Sequence, residues 1–274
     1  MIAVPVALLN LRASHPVKTV IIDGLTWELI DAGTGDTPLL MLPGALGTCE
    51  TFYKQILQFS PRYRIVSVNY PPISEPAEIC ASLHRLLQEL GITRLYLFGT
   101  SLGGYLAQCF AQRYPALLAS TVIANSFLDA TRILATDMFN PLHAKTKSAS
   151  DLQAMWRARI EKSVQEKGLS ELSAVQLDVL RKPFYAPYLQ ARMLTLANCT
   201  SKLAPMQGRL TIIDCEDDLI IDAQNQMEVR MRYPTARIHS LSAGGHYPYI
   251  LNAEKFNQIL ADEFFNSDES ITYP

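Results

Sequence analysis

Residues 95–104 read Leu-Tyr-Leu-Phe-Gly-Thr-Ser-Leu-Gly-Gly, and no other stretch of the chain constrains the fold as tightly. An apolar run of strand length, residues 95–98, stops at Gly99, and a helical pattern begins near Leu102. Between them Ser101 is flanked by Gly99 and Gly103. This G-x-S-x-G spacing sets a serine at the tip of a sharp strand-to-helix turn. Residues two before and two after the serine crowd such a turn, so they must be small. The helix that follows presents free N–H groups and a positive dipole end beside the hydroxyl. The bland alternative is a Gly-rich turn without chemistry. What separates the two is whether chemical partners for the serine occur elsewhere, in a workable order.

The pattern around this turn is that of a parallel sheet. Residues 18–22 and 25–30 are β-rich runs separated by Asp23-Gly24, which predicts a hairpin. Residues 39–42 form a short, wholly apolar strand, as expected in the buried middle of a parallel sheet. It ends in Pro43-Gly44-Ala45-Leu46-Gly47-Thr48, a loop at the carboxyl end of a strand, where open α/β sheets place ligands. A helix is expected over 52–59, a strand over 63–68 and an amphipathic helix over 76–90. The helix after the serine turn runs to about 113, stopped by Tyr114-Pro115. A strand follows over 119–124. Strand and helix thus alternate, the signature of a sheet covered on both faces.

Between Phe127 and about Met206 no convincing strand appears. Helical segments are expected near 150–167, 173–180 and 188–197, punctuated by Pro141, Pro183 and Pro187. This predicts a helical cap over 128–206, inserted into an α/β core made of 1–127 and 207–274. The cap's aromatic and Met side chains read mainly as its own core. The α/β pattern resumes with a strand over 209–214, a helix over 222–232, a strand over 236–241 and a closing amphipathic helix over 253–265. The polar residues 266–274 are expected to fray.

Composition excludes several classes. Hydrophobic residues make up 49% and charged residues 18% of 274, and the formal net charge is −2 with both signs scattered. Nothing here points to a nucleic acid partner or an anionic membrane, and no stretch approaches the roughly 20 apolar residues of a membrane span. Residues 1–9 are apolar, but no positive charge precedes them, Pro5 interrupts them and no A-x-A pattern follows. They are read as an arm packed on the domain. Five cysteines, with no C-x-x-C pair, argue against a disulfide framework and a zinc site. A reducing, cytoplasmic setting fits them best, with each cysteine a small buried apolar residue.

A serine hydroxyl is a poor nucleophile at neutral pH. It needs a base within hydrogen-bond reach, and that base needs an orienting carboxylate. The chain offers the order Ser, acid, His. Asp217 lies after the 209–214 strand, and His246 lies after the last strand, behind Gly244-Gly245. All three fall at carboxyl ends of expected parallel strands, so one edge of the sheet gathers them. His246 is favoured because the other histidines (His15, His84, His143, His239) lie in the arm, a helix, the cap and a strand. The adjacent Asp217 and Asp218 point differently, and only one can hold the imidazole. Asp217 is preferred by its distance from the strand end, with Asp218 and Asp129 as alternative acids. Two backbone donors must stabilise a developing oxyanion. The N–H of Leu102 is one, and the N–H of Ala45 in the 43–48 loop is the other.

With these residues in place, the chain resembles the α/β-hydrolase superfamily over nearly its whole length, and within it the maspardin family. The likeness rests on Leu42-Pro43-Gly44-Ala45-Leu46-Gly47-Thr48 with Phe52-Tyr53-Lys54-Gln55-Ile56-Leu57. It rests also on Leu97-Phe98-Gly99-Thr100-Ser101-Leu102-Gly103-Gly104-Tyr105-Leu106-Ala107-Gln108, on Asn125-Ser126-Phe127 and on Gly244-Gly245-His246-Tyr247-Pro248-Tyr249. The resemblance implies an eight-stranded, mostly parallel sheet with a helical cap, and no cofactor. Pro43 stands where many such hydrolases have His. Animal maspardins resemble hydrolases yet carry Asn at the histidine position, and they are described as binding or adaptor proteins. This chain departs from them there, because it has His246. The expectation is therefore a serine hydrolase acting on a small ester, or on an amide or thioester, with a Ser-His-Asp triad. The alternative is a binding or adaptor protein on the same fold, with a protein partner.

Overall fold

A computed structural model of the chain describes residues 3–201 and 203–265. The elements of the first half are α1 (Val6–Ser14), β1 (Lys18–Ile22), β2 (Leu25–Ala32), β3 (Leu39–Leu42), α2 (Tyr53–Phe59), β4 (Ile65–Asn69), α3 (Pro76–Glu89), β5 (Leu95–Thr100), α4 (Leu102–Arg113) and β6 (Leu118–Ala124). A helical stretch follows, with α5 (Thr131–Leu134), α6 (Pro141–Thr146), α7 (Ala149–Lys167), α8 (Glu171–Leu180) and α9 (Ala186–Asn198). The chain then returns to the sheet through β7 (Leu210–Cys215), α10 (Ala223–Arg232), β8 (Arg237–Leu241), α11 (Pro248–Leu251) and α12 (Ala253–Phe264).

The eight strands form one sheet in the order β1-β2-β4-β3-β5-β6-β7-β8. β2 pairs antiparallel with β1 and with β4, and every other pairing is parallel. The apolar runs explain the middle of the sheet. β3, β4, β5 and β7 are buried along their whole length, as a sheet covered on both faces requires. Side chains alternate between two cores. Leu40, Leu42, Leu95, Leu97 and Ile123 face one layer with α3, α4 and residues of the helical stretch. Leu39, Met41, Tyr96, Phe98 and Val122 face the other, with α1, α2 and α12.

The expected N-terminal arm is a helix. Within α1, Leu8 and Leu11 are buried in the second core. Arg12 reaches from α1 to Glu50 (2.7 Å), just past the 43–48 loop, and to Asp178 (2.5 Å) on α8. The helical stretch is thereby tied to the core by ion pairs as well as by apolar packing. Its helices begin where the sequence supplies caps. Ser148 accepts from the Asp151 N–H, and Ser170 and Ser173 form a reciprocal box. Residues 266–274, expected to fray, lie outside the described residues, as do Met1 and Ile2. Among the described residues no helix is long and apolar enough to cross a membrane. All five cysteines are buried and free, and His84 stacks on Tyr114 with ring centroids 4.1 Å apart.

Candidate active site

Ser101 sits between β5 and α4 with φ 54° and ψ −121°. Such a conformation costs a non-glycine residue roughly 1–2 kcal/mol and persists only where the surroundings over-determine it. Here they do. The Ser101 N–H donates to the Ala124 carbonyl (3.0 Å), and the Ser101 carbonyl accepts from the N–H groups of Gly104 (2.9 Å) and Tyr105 (3.1 Å) and from the Ser126 hydroxyl (3.0 Å). Backbone crowding fixes the flanking residues. A Cβ on Gly99 would overlap the Gly103 carbonyl, and a Cβ on Gly103 would overlap the Leu42 carbonyl. The motif therefore lets three chain segments touch backbone to backbone.

The loop after β3 lies against this turn, since a Cβ on Gly44 would sit 3.2 Å from that of Ser101. The Gly47 N–H donates to the Gly44 carbonyl (3.0 Å), and the Pro43 carbonyl accepts from the Tyr70 hydroxyl (2.9 Å). Among the described residues the N–H groups of Ala45 and Leu102 have no acceptor within the fold. Two backbone donors thus remain open beside the serine.

His246 follows β8, and the structure corrects the choice of its acid. Asp218, not Asp217, meets the ring, with Oδ2 2.9 Å from Nδ1. Its side chain is buried, and it is held from three sides. Asn125 Nδ2 donates to Oδ2 (2.6 Å), and the N–H groups of Ile220 (2.8 Å) and Ile221 (3.0 Å) donate to Oδ1. Burial pushes the carboxyl pKa up. The charge and hydrogen bond of His246 and the bonds from Asn125 and Ile221 outweigh it, and the pKa lies below the ordinary Asp value.

Asp217 has a different task. Its carboxylate accepts from the backbone N–H groups of Gly245 (2.8 Å) and Gly244 (3.2 Å) and so shapes the loop that carries His246. The mistaken offset has a simple cause. The strand expected to end at residue 214 runs on to Cys215, and the chain then turns with the Asp218 N–H on the Cys215 carbonyl (3.2 Å). The inward-facing position thereby moves one residue along. Asp129 is not brought to the histidine; its carboxylate accepts from the Thr131 N–H (3.0 Å) at the start of α5.

Asn125 is the site residue that sequence reasoning missed. It directly follows β6 with φ 45°, and its Nδ2 bridges Asp218 and the Gly245 carbonyl (3.1 Å). Asparagine tolerates the left-handed region better than most residues. An Asn-Ser pair directly after a buried strand was the available signal. Among the described residues no group of three or more His, Cys, Asp or Glu side chains is placed to hold a metal ion.

A strained serine on a strand-to-helix turn, open donors beside it and a buried carboxylate–histidine pair on the same sheet edge define a class. The chain belongs to the α/β-hydrolase fold family, whose family model matches residues 37–198. Within it the chain is similar to maspardin. It is 30% identical to that of Homo sapiens over 267 residues, which cover 90% of this chain and 82% of the relative, and 31% identical to that of Danio rerio over 264 residues. Among solved structures it is similar to an esterase from Thermogutta terrifontis, with TM-score 0.74 and 16% identity over 90% of this chain and 97% of that one. A hydrolase from Pseudomonas aeruginosa gives TM-score 0.72 and 17% identity over 91% and 98%. Likeness at these identities concerns the fold alone.

Proposed function

We propose that this chain is a serine hydrolase that cleaves small carboxylic esters, or less readily amides or thioesters, through an acyl-enzyme. The observation that carries the reading is the buried Asp218–His246 pair on the sheet edge that also holds the strained Ser101. Ser101 Oγ attacks the ester carbonyl while His246 takes its proton. The carbonyl π pair moves onto oxygen, and the N–H groups of Ala45 and Leu102 stabilise that oxyanion. Each such donor is worth roughly 10²–10³ in rate. The tetrahedral intermediate collapses, and the alcohol leaves with the proton from His246. Water, deprotonated by His246, then attacks the acyl-serine and releases the acid. Asp218 holds the imidazole tautomer with its proton on Nδ1 and offsets the charge of the imidazolium. The five unpaired buried thiols support a reducing, cytoplasmic setting.

The test pairs a fluorophosphonate probe with chromogenic acetate and butyrate esters. The expected result is labelling and turnover that vanish together in Ser101→Ala. Folded wild-type protein that neither labels nor turns over sinks the proposal. The likeness to maspardin motivates a second reading, in which the same fold serves as a binding protein with a protein partner. His246→Ala separates the two: a biological role that survives the loss of all esterase activity favours binding.

A further inference from the structure

Arg192 on α9 is 2% exposed, and among the described residues no carboxylate lies within ion-pair distance of it. Its guanidinium is bound to neutral acceptors. It donates to the Gly47 carbonyl, to Asn69 Oδ1 and to the Tyr185 hydroxyl (3.0 Å). It also lies 5.7 Å from the centroid of the Tyr70 ring and 5.4 Å from that of Tyr185. Its Nε is buried without a partner. Burying a guanidinium is costly, and an apolar side chain of similar volume commonly serves stability better. The place where its bonds end suggests another role.

Two of these groups hold the 43–48 loop at its ends. Arg192 takes the Gly47 carbonyl at one end, and Tyr70, packed beneath the guanidinium, takes the Pro43 carbonyl at the other (2.9 Å). Between them the Gly44 carbonyl is turned onto the Gly47 N–H (3.0 Å). N–H and C=O point in opposite directions across a trans peptide. With the Gly44 carbonyl fixed inside the turn, the Ala45 N–H of the same peptide faces outward. We propose that Arg192 is a positioning residue: from the helical stretch above the sheet it clamps the oxyanion loop, with Tyr70, and so preorganises the Ala45 N–H. This inference rests on the serine hydrolase reading. It makes the second oxyanion donor depend on the seating of α9.

The experiment compares wild type, Arg192→Lys and Arg192→Met by kcat and KM on a butyrate ester, rate of fluorophosphonate labelling at Ser101 and thermal midpoint. Lysine keeps the charge but cannot span Gly47, Asn69 and Tyr185 together. Arg192→Lys is expected to stay folded and to lose roughly 30-fold in kcat, with KM within about threefold, because a misplaced donor is lost only in the transition state. The labelling rate falls in parallel. Arg192→Met is expected to lose roughly 100-fold in kcat. Should Arg192→Met fail to fold, Arg192→Lys still decides. A folded Arg192→Lys with unchanged kcat overturns the clamp, as does a raised KM at constant kcat, which would mark a ligand-binding group. Wild type lacking both labelling and turnover removes the serine hydrolase reading and the clamp with it. Active wild type with equally active variants removes the clamp alone.

Discussion

The two halves of the candidate site are held by different physics. At the Ser101 turn the constraint is backbone crowding: carbonyls of Leu42 and Gly103 occupy the space where any Cβ at Gly103 or Gly99 would sit. Around Asp218 and His246 it is a set of side-chain hydrogen bonds converging on one buried carboxylate. The first half carries its signature in ten consecutive residues, with the backbone of Leu42 and Ala124 closing on them. The second joins Asn125, Asp218 and His246, which lie about a hundred residues apart or on separate loops. Sterics tolerates no substitution, whereas hydrogen bonds can be exchanged, lost singly or titrated. That difference can be probed from both sides.

The largest expected effect sharpens the second half. Asp218→Asn should lower kcat by roughly 10³-fold or more, because the amide stabilises the wrong imidazole tautomer and no imidazolium. Asp217→Asn should stay within about tenfold of wild type, since its one side-chain oxygen can still accept from the Gly245 N–H, although the bond from the Gly244 N–H, made to the other oxygen, is lost. Ester turnover and circular dichroism on both variants check this; equal losses would break the assignment of the acid. Next in size is Gly103→Ala. Helix propensity alone favours alanine by about 1 kcal/mol. The overlap with the Leu42 carbonyl is expected to reverse that sign and cost about 3 kcal/mol or more. Urea denaturation reads the sign directly, and a stabilised variant would refute crowding as the constraint.

The same difference decides what the sequence could show. The serine turn was legible because its requirements are local: an apolar run, small residues at fixed offsets and a helix start. The mostly parallel sheet, covered on both faces, followed from the alternation of strand and helix, and β3, β5 and β7 are buried as their apolar runs imply. His246 was legible from its place after the last strand. The acid was not, because the choice between neighbouring aspartates turns on whether β7 ends at residue 214 or at Cys215. Strand ends are set by pairing with β8, whose Leu241 carbonyl accepts the Glu216 N–H (2.9 Å). No local pattern encodes that. The roles of Asn125 and Arg192 were hidden for the same reason, as both act through partners distant in sequence, and the Asn-Ser pair after β6 marked only a position. In α1, Leu8 and Leu11 pack into the second core, so the segment that reads as an arm packed on the domain is packed as a helix.

Smaller effects test whether the second half is a network or a pair. Asn125→Gly keeps a residue that favours the observed φ of 45° and removes only the side chain. Asp218 and the Gly245 carbonyl each lose a donor, so the expected cost is about 1–3 kcal/mol, read as a lower urea midpoint. No change would mean that Asp218 is satisfied without it.

The smallest effect comes from acid. The Asp218 pKa is held below the ordinary value, so the folded state binds fewer protons than the unfolded one. Its contribution to stability is therefore complete above the unfolded value of about 3.9 and is lost as pH falls through that value and below. Asp218→Asn removes the titrating group, so its stability deficit, about 1 kcal/mol near neutral pH, should shrink on acidification below pH 4. Burial pushes the carboxyls of Glu50, Asp178 and Glu263 up, but Arg12 and Lys182 hold the first two below their ordinary values, and the Thr211 hydroxyl and Arg237 hold the third. They are common to both proteins and cancel in the difference. Ser101, Gly99 and Gly103 carry no charge to titrate, so the cost of Gly103→Ala should not vary over the same range. Unfolding curves at several pH values on the two variants therefore separate a steric constraint from an electrostatic one within one site. A deficit that stays constant in Asp218→Asn would remove the charge from the account and leave only the shape of the side chain.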